Sequence, residues 1–392
     1  MVQERWGVLG LRQRWTYRSR KINDYDKNYI ETSYTSEELN ERFIKDFARF
    51  RRENNLTQTL LSKYSNVPRE KIARIELGMH SPSIKSLLQI LGPIGYTIKI
   101  EKVELLSPAG NPECFYGAIA AGADAVYAGG SRFGARAFAG NFAEEEFIEA
   151  IGYAHLFGRK LYMTLNTLMK EKEIEALPEY LEPYYRAGLD GVIVQDIGLV
   201  SLIREKFPEL PVHASTQMAI TGVYGARYLK SLGAERIVPA RELSLEEIRR
   251  IHENIDIEIE VFIHGAMCYS YSGVCLMSSF LGGRSGNRGR CAGPCRQPYG
   301  KDGNYLLSMK DLCAIELLDK IVEAGAVSLK IEGRMKSVDY VAGVTSIYRK
   351  YLDILSERGT DGYKVDEKDI DTLLRLYSRS GKNTGYFNFS SI

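Results

Sequence analysis

The sequence predicts an α/β protein: a (β/α)8 barrel of the TIM type over residues 103–392, preceded by a small all-α domain over residues 40–102. Three observations carry this prediction. A unit of amphipathic helix, small residue plus glycine, and short apolar strand recurs after residue 103. It is seen in Ala121-Gly122 before AVYAGG, Ala187-Gly188 before GVIVQD, Leu232-Gly233 before RIVPAR and Ala324-Gly325 before VSLKIEGR. Eight strands are expected, at 103–106, 125–128, 160–164, 191–195, 211–214, 236–239, 258–263 and 327–331. Strands that alternate with helices pair in parallel through right-handed crossovers, and eight such units close a barrel rather than leave an open sheet. Glycine, at 36 of 392 residues, supplies the tight turns such a fold needs.

In chain order, residues 1–39 read as a basic and polar arm. Trp6, Trp15 and Tyr17 lie among Arg5, Arg12, Arg14, Arg18 and Arg20, and would pack on a neighbouring domain or stack on nucleic acid. Next comes a helical pattern. Thr57-Gln58 opens a helix containing Leu60 and Leu61, and Ser65-Asn66 makes a turn. Pro68 starts a second helix through Ile72 and Ile75 to Gly78, and Pro82-Ser83 precedes a third. This run resembles the helix-turn-helix of the Cro/phage-repressor type. The resemblance implies DNA binding through Gln58, Arg69, Lys71 and Arg74, with the second helix in the major groove. A dimerisation or docking module is the other reading. After Tyr96 the pattern alternates and runs directly into VELLSPAGN, which puts the domain boundary near residue 102.

Charge divides along the same line. Residues 1–100 carry 18 Lys and Arg against 11 Asp and Glu, a balance of +7, while the remainder stands at −5. A basic front on an acidic body suits nucleic acid as a partner for the front. Composition is that of a globular protein, with 44% hydrophobic and 26% charged residues, which excludes wholesale disorder. No apolar run reaches the ~18 residues that would cross a bilayer, and the N-terminus is not a secretory signal. A cytoplasmic protein with no membrane partner is expected.

Five of the six cysteines fall in one stretch: Cys268, Cys275, Cys291, Cys295 and Cys313. A secreted disulfide scaffold would spread them through the fold. Structural zinc sites favour two tight pairs, and Cys268 and Cys275 are too far apart for that. Wider, loop-borne spacing suits a [4Fe–4S] cluster on Cys268, Cys275, Cys291 and Cys295. Cys313 would replace one of the four or be a small buried side chain, and Cys114 is read as structural.

In barrels of this type the reactive face is the carboxyl end of the strands. Polar residues collect there: Asn166, Gln195, Asp196, Ser215, Thr216, Gln217, Arg241, His264, Lys330, Glu332 and Arg334. Glu332, Arg334 and His264 are the candidate catalytic groups. Asn166, Gln217, Arg241, Lys330 and Arg288 are candidates for binding substrate. Arg284, Arg288, Arg290 and Arg296 would bring positive charge beside the cysteines or form a solvated loop. GGSRFGARAFAG is glycine-rich but fits neither the dinucleotide nor the Walker fingerprint.

EVFIHGAMCYSYSGVCLMS at 260–278 carries a further resemblance, supported by ELLSPAGN at 104–111, NRGRCAGPCR at 287–296 and SLKIEGRMKS at 328–337. Over about residues 103–355 the chain resembles the peptidase U32 family. That family was named for collagenase-like proteolysis, and its better understood members hydroxylate ubiquinone precursors or a pyrimidine in tRNA or 23S rRNA. The resemblance implies a [4Fe–4S] cluster on Cys268, Cys275, Cys291 and Cys295, and prephenate as a co-substrate of the RNA enzymes. Some members use a cysteine near the position of Cys313 instead of Cys295. A repressor-like front is not usual in the family, and many members continue into further β domains.

Hydroxylation of a pyrimidine base in tRNA or rRNA is therefore the first functional expectation. A collagenase-like protease is the second, although the chain has no GxSxG elbow, no HExxH helix and only five histidines. A DNA-binding regulator whose barrel senses redox state or a ligand is the third.

Overall fold

The structure, a computed structural model, describes residues 7–10, 44, 47–48, 50–52, 56–94, 96–99, 103–136, 139–360, 363–379 and 381–389. The chain divides into two compact units, Met1–Lys102 with Ser356–Arg358, and Val103–Leu355 with Gly359–Ile392.

The front unit holds three short helices, Gln58–Ser65, Arg69–Glu76 and Ile84–Leu91. The Thr57 hydroxyl caps the first by accepting from the Leu60 amide at 3.0 Å, and Ser83 caps the third. Asn66 ends the first helix in the left-handed region with φ 53°, a conformation asparagine tolerates better than most side chains. Leu61, Val67, Ile72, Ile75, Leu87, Ile90 and Leu91 face inward with Ile44 and Phe47. Gly7–Gly10 forms a strand parallel to Tyr96–Lys99. This short strand lies within the basic and polar arm, and its backbone pairing needs no apolar side chains. Trp6, Trp15, Tyr17 and the arginines around them lie outside the described residues.

The second unit is the barrel. Its strands are β1 Glu104–Ala109, β2 Ala125–Ala128, β3 Lys160–Leu165, β4 Gly191–Val194, β5 Val212–Ala214, β6 Arg236–Ile237, β7 Glu258–Gly265 and β8 Ser328–Ile331. Each pairs in parallel with the next. β8 returns to β1 with Leu329 opposite Leu105, which closes the sheet. The recurring glycine works as anticipated: Gly122 has φ 90°, where a Cβ would be strained. The chain then turns so that the Asp124 carboxylate, two residues on, accepts from the Leu105 amide of β1 at 3.0 Å. Asp190 does the same for the Leu161 amide of β3 at 2.8 Å. In these two units the helix–glycine–strand turn thus pins the new strand to its neighbour.

Outward-facing strand residues pack under the surrounding helices in one continuous apolar core. The barrel's centre is different. Glu104 accepts from Arg236 at 2.6 Å, from the Tyr162 hydroxyl at 2.7 Å and from Ser328 at 2.8 Å. Lys330 reaches Glu260 at 2.7 Å, and the ring of His213 lies edge-on to Tyr162 at 4.6 Å. Between β7 and β8 the chain makes a long excursion. It ends in the strand Asp311–Cys313, which runs antiparallel to the end of β7 and pairs with Lys382–Asn383. Among the described residues no helix is long and apolar enough to cross a membrane.

Candidate active site

The carboxyl ends of the strands carry a set of buried and half-buried arginines around one carboxylate. Glu332 follows β8, and its Oε1 accepts from Arg136 Nη2 at 3.0 Å. Arg136 comes from the loop after β2. Asn166, after β3, fixes that loop by accepting from the Ala135 amide at 2.9 Å. Arg334 is buried and donates through Nη1 to the Thr164 hydroxyl at 2.7 Å. Arg241, after β6, donates to the Ala266 carbonyl at 2.8 Å and lays its guanidinium over the Phe262 ring at 3.9 Å.

The electrostatics follow from burial and mutual charge. Burial alone would raise the Glu332 carboxyl, but Arg136 and Arg241 beside it hold it below the ordinary carboxylate range. Burial and the nearby Arg136 push Arg334 down to about 10, so it remains charged at neutral pH. Burial also lowers Arg241, against the opposing pull of Glu332. Tyr127 lies in the same field and is raised by burial, and its hydroxyl donates to the Ile331 carbonyl at 2.9 Å. Such an arrangement attracts anions and orients them through planar, two-pronged donors.

The cysteine loops flank this set. Cys268 and Cys291 are exposed, and Cys275 and Cys295 are partly buried. Burial pushes the Cys295 thiol up, and Arg241 reaches the cysteine loop at the Ala266 carbonyl, two residues before Cys268. Two bonds tie the loops together: Asn287 donates to the Gly273 carbonyl at 2.9 Å, and the Ala292 amide donates to Ser278 at 2.9 Å. Four thiols on adjoining loops form a donor set whose chemistry suits iron or zinc. Among the described residues no group of three or more His, Cys, Asp or Glu is arranged to hold a metal ion. Cys313 is buried in its strand, and burial pushes its thiol up. Cys114 is also buried, with its thiol directed at the Lys336 carbonyl at 3.5 Å.

Several expected site residues have other duties. Lys330 is not at the rim: alternation along β8 turns it into the barrel, where Glu260 takes its ammonium. His264 is buried, with Nδ1 3.2 Å from the Tyr348 hydroxyl, and burial holds it down at about 4. It is therefore neutral at neutral pH and packs against Tyr340 and Tyr348. Arg288 is committed to Glu173 at 2.6 and 2.7 Å, a pairing that ties the cysteine loop to the short helix Glu171–Glu175 after β3. Arg296 is likewise spent on Ser308 at 3.0 Å and on the Met309 and Met267 carbonyls. Gln217 is half-buried in the turn Thr216–Met218, which the Ser215 hydroxyl caps at the Gln217 amide. In the front unit the Gln58 amide donates to Glu76 at 2.7 Å. Arg69 and Arg74 are exposed on the second helix and Lys71 is half-buried. Arg136 and Tyr127 were missed by sequence reasoning. The two arginines of GGSRFGARAFAG, directly after a strand, were the available signal.

Fold and site together define a TIM-type barrel that carries a cluster of charged groups on the segments at the strands' carboxyl ends. The model of peptidase family U32 matches residues 110–391, and the chain belongs to that family. A helix-turn-helix family matches residues 47–99. The chain is 41% identical over 274 residues to the tRNA hydroxylation protein P1 of Bacillus subtilis, covering 66% of this chain and 65% of that one. It is 44% identical over 273 residues to a 23S rRNA 5-hydroxycytidine synthase of Escherichia coli, covering 67% of this chain and 41% of that one. A Methanocaldococcus jannaschii protein named as an uncharacterized protease is 40% identical over 305 residues, 73% of each chain. The chain thus spans less than two thirds of the length of the first two relatives.

Proposed function

We propose that the barrel hydroxylates a pyrimidine base of tRNA or rRNA in the cytoplasm, with a [4Fe–4S] cluster on Cys268, Cys275, Cys291 and Cys295 and prephenate as co-substrate. The observation that carries this reading is the placement of the cysteine loops beside the Arg136–Glu332 pair, in a chain whose relatives are named for RNA hydroxylation. A cube takes one thiolate on each iron, so its ligands stand farther apart than around a single ion. When bound, the cluster would supply one-electron transfer. The protein's own residues do the rest. Arg334, held by Thr164, and Arg241, seated on Phe262, orient anionic groups. Glu332 lies within reach of the same space and can fix a base or accept a proton.

The protease reading finds less support. Cys268 would need an imidazole as base, and His264, four residues away, is buried against Tyr348. The test is mass spectrometry of nucleosides from tRNA and rRNA of cells with and without the gene. A hydroxypyrimidine that vanishes with the gene and returns with it supports the proposal. Unchanged RNA, together with gelatin cleavage that depends on Cys268, would replace it with proteolysis.

For the front unit we infer duplex DNA binding. The exposed guanidiniums of Arg69 and Arg74 on the second helix favour it over a docking module.

A further inference from the structure

The arginine set at the barrel's end is over-supplied with donors. Arg136, Arg241 and Arg334 carry three positive charges, and Glu332 is the one carboxylate that the described structure pairs with any of them. Arg334 is only 5% exposed and spends Nη1 on the neutral hydroxyl of Thr164. Arg241 keeps a second unused donor: its Nε is buried with no hydrogen-bond partner among the described residues. A buried donor left unpaired is costly, so the site is built for something that would accept from it.

A small cavity opens beside Arg241, lined also by Phe262, Met267 and Leu312. The backbone at Gly129 lies against Arg334: a Cβ there would fall 2.7 Å from Asn141 Oδ1 and 2.8 Å from Arg334 Nη1, so glycine at that position lets the guanidinium sit where it does. Arg136, 39% exposed at its side chain, gives the set an edge on solvent. With Phe262 covering one face of Arg241, its donors are left to act along their edges.

We propose that Arg136, Arg241 and Arg334 form a receptor for an oxyanion, a carboxylate or a phosphate, and that Glu332 is the resident counter-ion with which the ligand competes. In the structure described, Glu332 holds Arg136. An arriving carboxylate or phosphate accepts from Arg334 and from Arg241 Nε, and draws Arg136 from Glu332. Charge near a low-dielectric barrel interior makes each of these contacts stronger than on an open surface. Two sources of the oxyanion share this chemistry: a small carboxylate co-substrate and a phosphate of the RNA. The inference rests on the enzymatic reading of the barrel, but its test needs no turnover.

The experiment is calorimetric and thermal-shift titration of the full chain with malonate and with inorganic phosphate, against chloride at matched ionic strength. Saturable binding of at least one anion beyond chloride is expected. Arg241→Gln and Arg334→Gln should weaken it about tenfold or more, as loss of a charge-assisted pair predicts. Glu332→Gln should tighten it severalfold, an opposite sign that a purely structural role would not produce. Should a buried variant fail to fold by circular dichroism, Arg136→Gln, the most exposed of the three, takes its place. A short single-stranded oligoribonucleotide that competes with malonate identifies RNA phosphate as the source, and a lack of competition identifies a small carboxylate. Either result keeps the receptor. Binding no better than chloride, or Glu332→Gln weakening binding as the arginine variants do, overturns it. Intact anion binding with no RNA hydroxylation would overturn only the proposed function.

Discussion

Arg136 Nη2 lies 3.0 Å from Glu332 Oε1, a bond that joins the loop after β2 to the segment after β8 across the end of the barrel. The two residues are 196 positions apart in sequence, and neither belongs to a strand. Their meeting organises the site and depends on barrel closure between β8 and β1.

The cysteines give the first prediction. Anaerobically purified protein should be brown, absorb near ~400 nm and contain acid-labile sulfide. Single alanine replacements of Cys268, Cys275, Cys291 or Cys295 should remove iron and sulfide together, whereas Cys114→Ala and Cys313→Ala should retain both. Stoichiometric zinc without sulfide would defeat the cluster.

Arg334→Ala should leave secondary structure and iron content unchanged but abolish base hydroxylation, read as loss of the oxygenated nucleoside from RNA of complemented cells. If iron content and melting temperature fall with activity instead, Arg334 acts only as a brace on Thr164.

Lys330→Met should fold poorly rather than bind substrate poorly. It leaves Glu260 facing the interior with only the longer contacts to Arg236 at 3.3 Å and Ser328 at 3.4 Å. Loss of one partner of a buried pair costs about 3 kcal/mol or more, to be measured as a lower midpoint in urea.

In the front unit, replacing Arg69 and Arg74 by Ala in the full chain should weaken duplex DNA binding and flatten its salt dependence, since each lost phosphate contact releases fewer counterions. Gln58→Ala should instead lower the stability of that unit by about 1 kcal/mol through loss of its bond to Glu76, whose carboxylate keeps only Arg51. Equal loss of binding by both variants would return Gln58 to the DNA surface.

Acid should destabilise the barrel before its carboxylates titrate. Burial, with Arg236 and Lys330 nearby, holds His213 well below 6.5, and burial holds His264 at about 4. Both have folded values below the unfolded one, so the unfolded chain binds more protons as pH falls. Their stabilisation is complete above pH 6.5 and is lost on the way down to about 4 for His264. The slope is at most about 1.4 kcal/mol per pH unit for each. The double variant His213→Gln, His264→Gln should flatten that limb in urea unfolding, and an unchanged slope would refute the assignment.

The sequence made the barrel legible because each strand is short, apolar and introduced by the same glycine turn. Asp124 and Asp190, two residues after those glycines, lock the units in place and recur visibly. The chemistry was less legible. Lys330 and Ser328 alternate with Leu329 and Ile331, so β8 turns its polar side inward; position near a strand end alone put Lys330 at the rim. Arg288 and Arg296 were grouped with the site by charge, yet long side chains reach whichever acceptor the loop offers, here Glu173 and the Met309 carbonyl. Arg136 escaped notice because its partner Glu332 becomes its neighbour only when the barrel closes.

The ionic centre of the barrel has a consequence for how the strands find their places. Glu104, Arg236, Glu260 and Lys330 come from β1, β6, β7 and β8, and together they carry no net charge. Apolar interiors tolerate a strand slipped by two residues, since one aliphatic side chain substitutes for another. This interior does not: a slip would strand a carboxylate or an ammonium opposite hydrocarbon, at a penalty of several kcal/mol. The four charges therefore act as a key that accepts one alignment of the closing strands, so the bonds that brace the finished barrel also reject its misthreaded forms.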